Sequence, residues 1–190
     1  MLKYRALLWP VVGILLIGIL FVALHRRAVP ALPPASPSSA SSAASSLPPL
    51  NGNFVNAQTG KQELLTTAEA GKPTLLWFVT TWCASCHYGT QFINQHWTWL
   101  AQHHIQVIEL EAYHDMGQKG PAMTPFMAGI APRPLWIWGT AGRRLTAAFD
   151  SAAYPDIYFL LSAHNHVQYY NSSPGSTWKA LTTAIMRSQK

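Results

Sequence analysis

The chain has 190 residues, enough for one domain with a real core plus accessory segments. Its 13 Lys and Arg outnumber 7 Asp and Glu, but Lys3, Arg5, Arg26 and Arg27 all flank the first apolar segment, leaving 9 basic and 7 acidic residues from Asn51 onward. A body at +2, with no basic stripe and no Lys/Arg interleaved with aromatics, excludes a nucleic-acid-binding role, and two cysteines exclude a disulfide framework.

Ala6 to Leu24 runs without a charge between Lys3/Arg5 and His25/Arg26/Arg27, close to the roughly 20 residues that a membrane-crossing helix requires. The run ends in arginines and no small-x-small site follows it directly, which favours an uncleaved signal anchor over residues 1–27. The anchor implies export of the body, to the periplasmic or extracellular face. A cysteine pair there works in a disulfide-forming compartment. Ala28 to Pro49 is almost entirely Ala, Ser and Pro. Without periodicity or bulk it reads as a linker over residues 28–50, able to span some tens of ångströms from the membrane.

The body, residues 51–190, opens with turn-rich segments and short strand candidates at Phe54-Val55 and Gln62 to Leu65. Gly71-Lys72-Pro73 delivers a strand over Thr74 to Thr80, apolar on both sides of the pleat as a central strand should be. Phe92, Ile93, Trp97 and Leu100 recur at helical spacing, predicting one helix from Ala84 to about Ala101. Ile105 to Leu110 is the next strand, and this strand–helix–strand order implies a parallel pair. A short helix over Pro121 to Ile130 and a short strand over Leu135 to Trp138 precede a turn at Gly139 to Gly142. Ile157 to Leu161 and Val167 to Tyr170 read as a hairpin, and a last helix follows with Ser176 as N-cap and Trp178, Leu181 and Ile185 inward. The expected fold class is α/β, a mixed central sheet with helices on both faces.

Cys83 and Cys86 stand between the central strand and the following helix. At a helix N-terminus, unpaired backbone N–H groups and the macrodipole favour the thiolate, the form that attacks a disulfide. Cys83 is therefore assigned as the exposed nucleophile and Cys86, one turn on, as the buried resolving thiol. Trp82 is assigned to shielding the pair and contacting substrate, with Ala84, Ser85 and His87 as modulating neighbours.

The stretch Gly71-Lys72-Pro73-Thr74-Leu75-Leu76-Trp77-Phe78-Val79-Thr80-Thr81-Trp82-Cys83-Ala84-Ser85-Cys86 resembles the active-site region of membrane-anchored thioredoxin-like proteins of the TlpA/ResA/DsbE type. The resemblance implies a thioredoxin-like fold and a cis-proline facing the cysteines, a part for which Tyr154-Pro155-Asp156-Ile157 fits. The backbone of Tyr154 would then pair with an extended substrate segment. It also implies disulfide exchange with cysteines of exported proteins, reductive in direction, as in cytochrome c maturation or repair of wrong disulfides. A membrane redox partner would recycle the pair, and no cofactor beyond a redox-active Cys83–Cys86 disulfide is expected. Two departures stand out. Thioredoxins carry a buried Asp where this chain has Trp77, and ResA-like proteins carry a Glu where it has Gly89.

Three other readings use the same residues. The pair could introduce disulfides rather than reduce them. Cys83-Ala84-Ser85-Cys86-His87 also fits the c-type haem attachment spacing, although the strand before it, Trp82 and Pro155 favour disulfide exchange. Cys83, Cys86 and His87 with a distant His164 or His166 could hold copper(I) or zinc. Glu109 and Glu111 alternate at a strand end and are candidates for a place near the site; His96 and His114 have no assigned role.

Overall fold

The structure, a computed structural model, describes residues 51–130 and 133–189. The anchor expected over residues 1–27 and the linker over 28–50 lie outside the described residues, among which no helix is long and apolar enough to cross a membrane.

Seven strands form one mixed sheet: β1 (Asn53–Asn56), β2 (Gln62–Leu64), β3 (Thr74–Val79), β4 (Gln106–Glu111), β5 (Trp136–Ala141), β6 (Asp156–Leu161) and β7 (Val167–Ser172), in the order β2-β1-β5-β4-β3-β6-β7. β3 is buried at every position because it is central and both faces are covered. It pairs parallel with β4, as the crossover predicts, and antiparallel with β6. Six helices complete the domain: α1 (Leu65–Glu69), α2 (Ala84–Gln95), α3 (Trp97–Gln102), α4 (Met123–Phe126), α5 (Arg143–Phe149) and α6 (Trp178–Ser188).

The pleat of β3 divides the core. Leu75, Trp77 and Val79 point to one face, where Cys86, Ile93, Trp97, Leu100, Leu181 and Ile185 of α2, α3 and α6 cover them. Leu76 and Phe78 point to the other, against Leu65 of α1 and Leu145 and Phe149 of α5. Helices on both faces are thus as expected, but α5 was not anticipated. Its inward side is carried by Leu145 and Phe149 alone, too short a period to register in the sequence.

Several boundaries differ from expectation. The long helix breaks at His96 (φ −98°, ψ 10°), whose Nδ1 lies 2.9 Å from the Phe92 carbonyl and whose ring stacks on Phe92 at 4.0 Å. These contacts satisfy the broken turn locally. β5 continues to Ala141 through the expected turn, because Phe54, Val55 and Asn56 pair with Ala141, Thr140 and Gly139. Leu65 starts α1 rather than ending β2. The N-cap of α6 is Thr177, not Ser176, and its hydroxyl is held by Tyr158 Oη at 2.7 Å.

Gly89 is positioned by its neighbour across the core. A Cβ there would lie 2.7 Å from Trp77 Cη2 and 2.8 Å from Cζ2, so the bare backbone is what lets α2 settle over the indole. The two departures noted in the sequence, Trp77 and Gly89, are therefore one packing solution. Gly to Ala inside a helix ordinarily stabilises by about 0.5–1 kcal/mol. At Gly89 overpacking reverses the sign, and Gly89→Ala is expected to lower stability by roughly 1–3 kcal/mol, measurable as a lower denaturant midpoint.

Candidate functional site

Val79 ends β3 opposite Asp156, and Thr80 N donates to the Pro155 carbonyl at 3.0 Å. The chain then turns through Thr81 and Trp82 into α2, with Cys83 as the extended N-cap residue (φ −86°, ψ 122°). The first turn of α2 puts Cys83 half-buried at the surface and Cys86 fully buried one turn on, each as a free thiol.

The two sulfurs sit in opposite environments. Burial works against a Cys83 anion, but hydrogen bonds led by Ser85 Oγ (3.1 Å), with the Cys86 and Ser85 backbone, hold it below the ordinary thiol range. Burial and then the charge of Asp156 push the Cys86 thiol up. Cys86 Sγ donates to the Pro155 carbonyl at 2.9 Å. The arrangement offers one sulfur to solvent as a thiolate and keeps the other protonated inside.

Of the neighbours assigned from the sequence, Ser85 reaches Cys83, whereas Ala84 is exposed. His87 is exposed, with Nε2 3.0 Å from Gln91 Nε2 and its ring edge-on to Phe126 at 5.7 Å; only its backbone N–H reaches the pair, donating to the Cys83 carbonyl at 3.2 Å. Trp82 is 42% exposed and donates Nε1–H to the Asp115 carbonyl at 2.9 Å. Pro155 faces the pair as expected, but its peptide bond is trans, since the described residues contain no cis bond. A turn brings the chain to it instead: Ala153 is left-handed (φ 55°), and Asp150 Oδ1 accepts Tyr154 N–H at 2.8 Å. Tyr154 is exposed, and its N–H is already engaged by Asp150.

The histidines of the alternative metal reading do not join the cysteines. His164 and His166 lie in the β6–β7 turn, at the Thr74 end of β3, while Cys83 follows its Val79 end. A six-residue strand separates them, about 20 Å at the usual rise. Among the described residues, no three His, Cys, Asp or Glu side chains converge on a metal position.

Two buried acids lie near the pair: Asp156, which was not foreseen, and Glu109, one of the two glutamates read from the sequence as candidates. Asp156 follows Pro155 directly; its Oδ1 accepts Trp77 Nε1–H and its Oδ2 accepts Ser173 Oγ–H, both at 2.9 Å. Glu109, in register with Trp77 on β4, is fully buried. Burial pushes its carboxyl up to about 8, partly offset by the Thr90 hydroxyl and the Trp136 indole beside it. Thr90 Oγ1 lies 2.5 Å from Glu109 Oε1 and 3.0 Å from the Cys86 carbonyl. One hydroxyl proton cannot serve two acceptors. When Glu109 is protonated it can donate to Thr90, which then donates to the Cys86 carbonyl, so both contacts are hydrogen bonds; Glu109 Oε2 is buried without a hydrogen-bond partner. The sequence signal was Glu109 inside an apolar strand buried on both faces. Glu111, by contrast, is half-buried, and accepts Thr140 Oγ1–H at 3.3 Å.

No protein-family model matches the sequence, and no curated protein sequence matches it. Among solved structures, the chain is similar to a thioredoxin-like protein from Aeropyrum pernix (18% identity, TM-score 0.58, covering 73% of this chain and 89% of that one). It is similar to a secreted Mycobacterium tuberculosis disulfide oxidoreductase homologous to E. coli DsbE (14%, TM-score 0.52, 70% and 94%). It is also similar to BsSco, a member of the Sco family of cytochrome c oxidase assembly proteins (16%, TM-score 0.52, 72% and 92%). At such identities the likeness establishes the fold, and the fold is thioredoxin-like.

Two measurements follow from these environments. Cys83 should alkylate with a titration midpoint below that of an ordinary thiol and Cys86 should stay protected; Ser85→Ala should raise the Cys83 midpoint, read from thiolate absorbance against pH. Glu109 binds its proton more tightly in the folded state (about 8, against 4.5 as the ordinary value). The native chain thus holds more protons between those values, and this contribution to stability, complete below pH 4.5, is lost as pH rises towards 8. Glu109→Gln should flatten that decline in a series of melting curves.

Proposed function

We propose that this chain is an exported, membrane-tethered thiol–disulfide oxidoreductase of the TlpA/ResA/DsbE kind, acting on cysteines of exported proteins in the reductive direction. The observation that carries the reading is the asymmetry of the pair: Cys83 is half-buried and favoured as thiolate, and Cys86 is fully buried, protonated and hydrogen-bonded to the Pro155 carbonyl. A symmetric structural or metal-holding pair has no need of that difference.

The Cys83 thiolate attacks a substrate disulfide, forming a mixed disulfide and releasing one substrate sulfur as a thiolate. Cys86 then gives up its proton and attacks Cys83 Sγ. The second substrate sulfur leaves, and the Cys83–Cys86 disulfide holds the two electrons' worth of oxidation. Asp156, whose charge acts on the Cys86 thiol, is the acid that would take its proton. No cofactor is required by these steps. A membrane dithiol partner would return the pair to its reduced form, and residues 6–24 would keep the domain beside that partner.

A Cys86→Ser variant should accumulate mixed disulfides with exported proteins through Cys83. Recovering none, from cells in which the variant is exported, would remove the case for a protein substrate. The potential of the pair sets the direction: a reductant requires a value below about −250 mV, whereas one near about −120 mV belongs to a disulfide-introducing oxidant.

A further inference from the structure

The Thr81-Trp82 corner that leads into Cys83 is gripped from outside by the segment after β4. Asp115 is buried, and its carboxylate accepts Thr81 N–H at 2.7 Å and Thr81 Oγ1–H at 2.6 Å. Its carbonyl accepts the Trp82 indole N–H at 2.9 Å. One residue thus holds the backbone of the corner, the side chain of its first residue and the side chain of its second. Gly120 closes the grip: a Cβ there would overlap Thr81 Oγ1 and come within 2.7 Å of Trp82 N.

The segment reaches this position at a conformational cost. His114, Asp115 and Met116 are all left-handed (φ 53°, 51° and 56°), and Gly117 follows at φ 83°. The left-handed region is disfavoured for residues that bear a Cβ, so such a run persists only where its surroundings over-determine it. The hydrophobic core does not demand it: Tyr113 before the run, His114 within it and Gly117 after it are exposed, and Met116 is half-buried. The buried anchor is Asp115, and what it holds is the active corner.

We infer that Asp115 is a positioning residue: the strained turn is a clasp that fixes Trp82 beside Cys83 with its ring face open, so that a polypeptide disulfide is seated for attack. The inference rests on the oxidoreductase reading of Cys83. The thiolate itself has other sources, Ser85 and the first turn of α2, so the clasp governs seating of the substrate and leaves the nucleophile's reactivity unchanged. In the step concerned, the Cys83 thiolate forms a bond to one substrate sulfur while the substrate S–S bond breaks, and the leaving thiolate takes a proton from solvent.

The test compares two disulfides on the full chain in detergent: a small aromatic disulfide, which needs no seating, and a disulfide-bonded polypeptide. Asp115→Ala and Thr81→Val should each slow single-turnover attack on the polypeptide on the order of tenfold or more, through a weakened half-saturation term, as expected for a misplaced contact. Both should leave the rate with the small disulfide and its pH profile at the wild-type value, and both should change Trp82 fluorescence. Thr81→Ser, which keeps the hydroxyl, should restore the polypeptide rate. Equal losses with both disulfides, or no loss with either in folded variants, would overturn the clasp and leave the oxidoreductase reading standing. A wild-type chain inert to both disulfides would overturn the reading itself and the clasp with it. Should Asp115→Ala not fold, Thr81→Val and Thr81→Ser still decide the outcome.

Discussion

The pairing of β6 against β3 is the constraint on which the site depends. β3 is covered on both faces and its residues are fully buried, so its register cannot slip without exposing an entire apolar row. That register sets Val79 opposite Asp156, which sets the Pro155 carbonyl against Thr80 N–H and Cys86 Sγ. A carbonyl needs no side-chain chemistry to meet a thiol. It needs a strand that arrives at the right place, and the core enforces that arrival.

The same register gathers the buried acids. Trp77 lies opposite Glu109 on one side and Tyr158 on the other, so the tryptophan, the glutamate and the tyrosine share the face beneath α2. Gly89 above Trp77 permits close approach of the helix, and Thr90 beside it reaches Glu109. Trp77 occupies the place where thioredoxins carry a buried Asp, and its indole donates to an acid on another strand, Asp156. The charge of that aspartate acts on the buried Cys86 thiol from β6 rather than from β3. Because Glu109 is fully buried, its neutral form is the one the core accommodates, and its protonation is tied through Thr90 to the turn that holds Cys86.

Around this rigid interior the outer wall is built from turns under local strain. The left-handed run at His114 to Met116 and the left-handed Ala153 both carry a buried aspartate to a backbone N–H, Asp115 to Thr81 and Asp150 to Tyr154. Backbone amides at the edge of the site are thereby occupied from within. At this edge Trp82 and Tyr154 stay exposed and Cys83 half-buried.

Much of this was written locally. The unbroken apolar run of β3, the helical spacing after it and the Cys83–Cys86 separation are short-range patterns. They determined by themselves the central strand, the crossover to β4 and which sulfur faces solvent. Pro155 was reached through the family resemblance, which implies a proline facing the cysteines ahead of a strand. The rest depended on contacts distant in the chain. Nothing near Gly89 announces that Trp77 will fill the space above its backbone, and nothing near Asp115 announces that Thr81 will claim it. The place of His164 and His166 at the far end of the sheet, the break at His96 and the trans bond before Pro155 were likewise decided by tertiary structure. Periodicity records which side of an element is apolar. It does not record which partner will meet that side, and at this site the partners set the chemistry.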